Sequence, residues 1–362
     1  MHRYLLSLIS FFISYIFIFF YFFFSLENNF SNNFKYVETA KFYEKYFEQI
    51  EHIRFNKEFE NKEITNELIF NYLKKEEGRR TILFQGDSWM QQINDQESSK
   101  DLIKFKLKKY SNIINAGTAS YSPSLIFKQF KILENDFKIY PDTLVVYIDQ
   151  TDMGDELCRY KKLTKFNKNG EIEKVPGELY PYYRDVFNLH EKISLSSIEH
   201  TNTNKIFKTQ LLINYKIKKA LYRILKRIRI SLSDEKNTYK KCRWEVIENY
   251  KQNLNINDKK YLIKILKSFF SYLEKKDYLN SVIVVTHPHK LQLQKKNELN
   301  DISDIVAKSV LGFEKINHIN YTKVLKEKKI YKNFTDIWFA DSIHLLEENF
   351  NLFLINLLDQ LD

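Results

Sequence analysis

Ser88 is the residue whose type and position best fit covalent chemistry. It belongs to the segment 86–89 (Gly-Asp-Ser-Trp), which directly follows the apolar run 81–85. A short apolar run ended by glycine predicts a buried strand, and a serine on the following turn would begin a helix. The N–H groups and the dipole at a helix N-terminus stabilise developing negative charge, so Ser88 is a candidate nucleophile.

A candidate general base lies far along the chain, in the segment Asp341-Ser-Ile-His344. A histidine that accepts the proton of a serine needs a carboxylate to orient it. Asp341, three residues before His344, can provide that carboxylate. Together with Ser88, these residues predict acyl transfer through a Ser-His-Asp triad, with Asp341 orienting His344.

Other chemistry-bearing residues follow the remaining predicted strands. Gly117 follows the second strand, and a glycine there can bring a backbone N–H close to a substrate oxygen. Residues 149–156 contain four acidic side chains, which could suggest a cation site. Their spacing does not match an EF-hand loop, and these residues could equally cap or hydrogen-bond local backbone; no metal and no cofactor are predicted.

The segment Thr286-His287-Pro288-His289 follows the fourth predicted strand. Two interpretations stay open for its histidines: contact with substrate at the pocket rim, or incidental positions in a loop. Trp89, next to the candidate nucleophile, is a further candidate for substrate contact. A metal site at His287 and His289 is not favoured, because no third ligand is evident.

Alternating strand and helix patterns must position these residues. Strands are predicted at 81–85, 112–115, 143–148, 281–286 and 315–320, and helices at 90–109, 124–138, 258–276, 298–311 and 345–361. The alternation predicts an α/β fold, a three-layer α/β/α sandwich with a five-stranded parallel sheet. In such a sheet, ligands bind beyond the carboxyl ends of the strands, so the residues that follow each strand are the foremost candidates.

The rest of the chain divides into three further regions. Residues 4–26 form a run without charge, and about 20 apolar residues span a bilayer, so 1–30 is predicted to be a transmembrane anchor. Residues 31–77 are polar with scattered aromatics and predict a helical stalk or cover. The α/β domain then occupies 78–362, with a long insertion at about 150–256 in which 205–232 is a basic amphipathic helix.

The anchor carries a prediction about location. The apolar run exceeds the roughly 7–15 residues usual in a cleaved signal peptide, and no convincing cleavage site follows it. We therefore expect an uncleaved, single-pass signal anchor, with the bilayer as the partner of residues 4–26. The basic residues flanking the run give a mixed orientation signal, and a periplasmic or extracellular body is the favoured topology.

Composition limits the remaining classes of function. The net charge of +11 is spread over short lysine pairs, and no nucleic-acid-binding module is visible, so no nucleic-acid partner is predicted. Two cysteines are too few for a disulfide framework or a zinc site. A disulfide between Cys158 and Cys242 and two unrelated buried thiols are both open, and the second is favoured.

The early Gly-Asp-Ser, the glycine after the second strand and the late Asp-x-x-His together resemble the SGNH hydrolase superfamily of GDSL-type esterases. The resemblance covers residues ~80–150 and ~280–362. It implies a flavodoxin-like sheet, with Ser88 as nucleophile, His344 as base and Asp341 as its orienter. It also implies an oxyanion hole made by the N–H groups of Ser88 and Gly117.

The sequence departs from the family in its third block. The family has Gly-x-Asn-Asp there, and this chain has Asp149-Gln150-Thr151-Asp152, with Thr151 at the position of the asparagine. Thr151 or Gln150 would have to supply the missing donor, because the loss of one oxyanion donor costs about 10²–10³ in rate.

The function that the resemblance implies is a membrane-anchored serine esterase or O-acyltransferase. Its substrates would be O-acyl, foremost O-acetyl, esters of cell-envelope or exported glycans, and a membrane-bound acyl-transfer protein is an expected partner. One alternative is a non-catalytic glycan-binding or assembly protein on the same scaffold. A lipase is the third, and the insertion argues against it because it lacks a continuous apolar surface.

Overall fold

The computed structural model of the chain describes most of the predicted α/β domain and two further helices. The described residues are 2–25, 49–50, 69–78, 80–175, 195, 198–199, 201–232, 242, 256–288, 302–327 and 344–361.

The strands belong to one large sheet and one hairpin. They are β1 (Asn71–Lys75), β2 (Thr81–Gln85), β3 (Asn112–Asn115), β4 (Thr143–Ile148), β5 (Lys165–Phe166), β6 (Ile172–Lys174), β7 (Ser281–Thr286) and β8 (Ile316–Asn320).

The helices alternate with the strands of the sheet. They are α1 (His2–Phe24), α2 (Ser88–Asp95), α3 (Glu97–Lys106), α4 (Pro123–Asn135), α5 (Gln150–Asp155), α6 (Lys205–Leu232), α7 (Ile256–Glu274), α8 (Ile302–Val310), α9 (Tyr321–Glu327) and α10 (Glu347–Leu358). A π-helical turn, Glu156–Tyr160, continues α5.

The sheet has six strands in the order β1-β3-β2-β4-β7-β8. The five predicted strands are all parallel, and β4 pairs with β7 along its whole length, from Thr143↔Ser281 to Ile148↔Thr286. The sixth strand, β1, was not predicted and pairs antiparallel with β3. It lies in the segment interpreted as helical stalk or cover, so that interpretation does not describe residues 71–75.

The core lies on both faces of the sheet because its central strands are buried throughout. Alternate side chains of β2 and β4, such as Phe84 and Tyr147, form one cluster with residues of α2, α3 and α10. The intervening side chains, such as Leu83 and Leu144, are equally buried on the other face. There α4 and α7 pack together, and the ring of Phe127 stacks on that of Phe269 at 5.0 Å.

The chain divides into two compact units. One contains residues 1–46, 55–64 and 179–236, and the other contains 47–54, 65–178 and 237–362. The sheet and the candidate catalytic residues belong to the second unit. The predicted insertion therefore does not form one body, because its first and last parts belong to the unit that contains the sheet.

The first unit contains the run that was predicted to cross a membrane, and that prediction is wrong. In the part of the chain that the structure describes, no helix has both the length and the apolar character required of a span. The run forms α1, which pairs with α6: the Tyr15 hydroxyl donates to Gln210 Oε1 at 2.6 Å, and Lys205 Nζ lies 5.0 Å from the Phe23 ring centroid. The single-pass location predicted from the run is left without support.

The two cysteines form a disulfide, contrary to the favoured interpretation of two separate thiols. Cys158 and Cys242 are 84 residues apart in the sequence, and their Cα atoms lie 5.9 Å apart. The bond joins the π-helical turn after α5 to the second half of the predicted insertion. The sequence could not distinguish the two cases, because the distance between the cysteines depends on the tertiary fold.

Candidate active site

Ser88 lies on the turn between β2 and α2, at the carboxyl edge of the sheet. Gly86 makes this turn with φ of +156°, in the region that favours glycine. A Cβ atom on Gly86 would lie 2.9 Å from Tyr147 Cβ and 3.0 Å from the Tyr147 carbonyl oxygen. Asp87 then caps α2 by accepting the N–H of Trp89 at 2.9 Å, so that Ser88 is the first residue of the helix.

The structure brings Ser88 and His344 together. Ser88 Oγ lies 2.7 Å from His344 Nε2, although 256 residues separate them in the sequence. Trp89 follows Ser88, and Leu345 follows His344. Both of these neighbours are buried in the same core cluster, which fixes the positions of the two candidate residues. Asp341, the predicted orienter of His344, lies outside the described residues.

This contact is suited to general-base catalysis. When the proton of a neutral imidazole is on Nδ1, its Nε2 accepts the serine hydroxyl proton and raises the nucleophilicity of Oγ. Ser88 Oγ is also 3.3 Å from Asp87 Oδ2, a longer contact than that to His344. The hydroxyl therefore lies between an imidazole and a carboxylate.

The two further residues predicted for the oxyanion hole are engaged within the chain. The Gly117 N–H donates to Asn115 Oδ1 at 3.1 Å, and the Thr151 hydroxyl donates to Asp149 Oδ1 at 2.6 Å. A Cβ atom on Gly117 would lie 2.4 Å from the Met90 backbone carbon, so glycine allows this turn to approach α2 closely. For Gly117 to donate to a substrate oxygen, its N–H would have to leave Asn115.

The predicted substrate contacts Trp89 and His287 are buried side by side. Their relative exposures are 0% and 3%, and their ring centroids lie 4.6 Å apart. His287 also stacks on Tyr321 at 5.0 Å, and its Nδ1 lies 2.8 Å from the Pro288 carbonyl oxygen. Both rings thus belong to the aromatic packing behind Ser88. His289 lies outside the described residues.

A cluster of three buried carboxylates lies beside the nucleophile, formed by Asp87, Asp149 and Asp152. One oxygen of each lies within 4.8 Å of one oxygen of each of the others. Burial, together with the charge of Asp149, raises the pKa of the Asp87 carboxyl well above its usual value. Burial and the charge of Asp87 likewise raise the pKa of Asp152.

The proximity of Asp87 to the acidic residues after β4 is not among the predictions made from the sequence. A signal for this connection was present. Asp87 follows the end of β2, Asp149 follows the end of β4, and these strands are neighbours in the parallel sheet. Residues directly after adjacent parallel strands meet at the same edge. A parallel sheet with these two strands side by side places the carboxylates together.

No protein-family model matches the chain, and no curated protein shows significant similarity to it.

Proposed function

We propose that this chain is a serine esterase or O-acyltransferase of the SGNH type, with Ser88 as nucleophile and His344 as general base. The observation that carries this proposal is the 2.7 Å contact between Ser88 Oγ and His344 Nε2 at the N-terminus of α2. Its location beyond the carboxyl ends of parallel strands, where open α/β sheets bind their ligands, gives it further support.

The reaction proceeds in two acyl transfers. His344 accepts the Ser88 proton while Oγ attacks the ester carbonyl carbon, and the carbonyl oxygen becomes an oxyanion near the N–H of Ser88, the first residue of α2. When the C–O bond to the alcohol breaks, His344 returns the proton to the departing oxygen. Water or an acceptor hydroxyl then attacks the acyl-serine while His344 accepts its proton, and His344 returns that proton to Ser88 Oγ as the bond between the acyl group and Oγ breaks. Asp341 remains the predicted orienter of His344.

The substrates proposed are O-acyl esters, foremost O-acetyl esters, of cell-envelope or exported glycans. The argument is the resemblance to SGNH enzymes, together with a net charge of +11 that suits an anionic polymer. Whether water or a sugar hydroxyl accepts the acyl group distinguishes an esterase from a transferase. Acetyl release from an acetylated glycan, measured with and without an unmodified glycan acceptor, tests this choice.

A non-catalytic glycan-binding protein on the same scaffold is the second candidate. The observation that favours it is the engagement of both Gly117 N–H and the Thr151 hydroxyl by other groups of the chain. A site that lacks oxyanion donors would bind an ester without activating it. The contact between Ser88 and His344 favours the enzyme, because a binding protein does not require a base on that hydroxyl.

Labelling with a fluorophosphonate probe tests the enzyme, because the probe reacts with activated serines. We expect peptide mass spectrometry to find the adduct on Ser88 and to find none in Ser88→Ala. The rate of labelling should fall by about 10²–10⁴ in His344→Ala, because the general base is lost.

Ser98→Ala is the matched control, since Ser98 is an exposed serine of the neighbouring helix α3. It should be labelled at Ser88 like the wild type. A folded wild-type protein that is not labelled would contradict the enzyme and favour the binding protein.

A further inference from the structure

The carboxylates of Asp87, Asp149 and Asp152 each have one oxygen occupied by backbone N–H groups. Asp87 Oδ1 accepts from Trp89, Asp149 Oδ1 accepts from Thr151 and Asp152, and Asp152 Oδ2 accepts from the N–H of Asp149. These bonds fix the three side chains, which are at most 1% exposed. They also hold the carboxylates close together although like charges repel.

Within the part of the chain that the structure describes, two buried oxygens at this cluster have no hydrogen-bond partner. One is Asp152 Oδ1, and the other is the hydroxyl oxygen of Tyr147. Tyr147 precedes Asp149 by two residues on β4, and its ring stacks at 5.1 Å on Trp89, which follows Asp87 by two residues. All three carboxylates lie within electrostatic range of the Tyr147 hydroxyl. Unpaired buried polar atoms are rare and call for a ligand or a water molecule.

We propose that Asp87, Asp149 and Asp152 bind one Ca²⁺ ion, with the Tyr147 hydroxyl beside it. A cation neutralises the charge and gives the unpaired oxygens a partner at the same time.

The burial of the cluster favours Ca²⁺ over Mg²⁺. Ca²⁺ binds oxygens at roughly 2.3–2.6 Å, so oxygens on opposite sides of the ion are about 5 Å apart. Mutual separations within 4.8 Å are compatible with such an ion. Mg²⁺ binds at about 2.0–2.1 Å and retains several waters, which a fully buried cluster accommodates poorly.

The ion would also act on the candidate nucleophile, and this consequence rests on the proposed function. Ser88 Oγ lies 3.3 Å from Asp87 Oδ2, so a cation on Asp87 brings positive charge close to the reacting oxygen. Such charge stabilises the oxyanion of acyl transfer. The cation would compensate for the oxyanion donor that Thr151 does not provide, because the Thr151 hydroxyl donates to Asp149.

The test measures Ca²⁺ binding directly on the full chain after chelation and desalting. Equilibrium dialysis with radioactive Ca²⁺ should give one ion per chain, and Tb³⁺ in its place should luminesce when Trp89 and Tyr147 are excited. Added Ca²⁺ should raise Tm by several degrees, and Mg²⁺ should have a smaller effect.

Asp152→Asn should weaken Ca²⁺ binding by about tenfold or more, because it removes a charged ligand. Asp101→Asn, at an exposed aspartate of α3, is the matched control and should bind like the wild type. If Asp152→Asn does not fold, Tyr147→Phe provides the second variant. It retains the stacked ring, removes only the hydroxyl and should weaken binding a few-fold.

Ser88→Ala separates this proposal from the proposed function. It abolishes labelling by the fluorophosphonate but should still bind one Ca²⁺, because the three carboxylates remain. The calcium site is overturned if the folded wild-type protein binds no Ca²⁺ at millimolar concentration. It is equally overturned if Asp152→Asn and Asp101→Asn bind with the same affinity.

Discussion

Thr151 has a hydroxyl that is already used within the protein. It donates to Asp149 Oδ1 at 2.6 Å, and the side chain is 3% exposed. We therefore expect Thr151→Val to lower the free energy of unfolding by about 1 kcal/mol, the usual value of one hydrogen bond. The kcat for an acetyl ester should fall less than about tenfold, whereas the loss of an oxyanion donor would cost about 10²–10³.

Urea unfolding and ester kinetics on the same variant measure both effects. Thr164→Val is the control, because Thr164 donates to the Tyr160 carbonyl oxygen at 2.9 Å and is not part of the site. It should show a similar loss of stability with full activity. A hundredfold fall in kcat for Thr151→Val would show that Thr151 turns towards the substrate during the reaction.

At the residue scale, the candidate nucleophile and base could be predicted from the sequence, but their surroundings could not. Ser88 and His344 could be predicted because each belongs to a short motif after a strand or before a helix. The engagement of Gly117 by Asn115 could not be predicted, because it depends on the conformation of the turn after β3. The burial of His287 among aromatic rings depends likewise on packing between α2, α9 and α10.

At the element scale, buried strands and long amphipathic helices were predictable. The predicted bounds of β4, β7 and α6 agree with the structure, because continuous β-branched runs and 3.6-residue periodicity are strong local signals. The edge strand β1 has the sequence Asn-Tyr-Leu-Lys-Lys and lacks such a signal. The separation of α2 from α3 at Gln96 was also missed, because Gln96 is extended there without a glycine or proline.

The disulfide is also a feature of the element scale, because it links one element covalently to a segment that is distant in the sequence. Cys158 lies in the π-helical turn after α5, and the bond closes a loop with a sequence separation of 84 residues. Replacing both cysteines by serine should lower the free energy of unfolding by about 2–4 kcal/mol, since the unfolded chain gains freedom. Thermal unfolding of the wild type with and without reductant should show the same difference. An unchanged Tm after thiol titration has shown full reduction would contradict this expectation.

At the scale of the whole molecule, the free energy of unfolding depends on pH through several buried titratable groups. The buried carboxyl groups and the buried His318 change it in opposite directions. Burial raises the pKa of Asp87, Asp152 and Glu156, so without a bound cation the folded chain binds their protons more tightly than the unfolded chain does. Their contribution is fully present at acid pH and is lost as the pH rises through their folded pKa values. His318 acts in the opposite direction, because burial and then the charge of Lys323 lower its pKa from 6.5 to about 4.

The contribution of His318 can be isolated by comparing the wild type with His318→Gln. His318 Nε2 lies 2.9 Å from Thr286 Oγ1, and glutamine can retain a hydrogen bond to that hydroxyl without titrating. The unfolded chain binds a proton at His318 below pH 6.5, whereas the folded chain binds it only near pH 4, so stability falls on acidification through this window. Urea unfolding should show the wild type losing about 3 kcal/mol relative to the variant between pH 7 and pH 4. A difference that stays constant over this range would mean that His318 is protonated as readily in the folded chain as in the unfolded one.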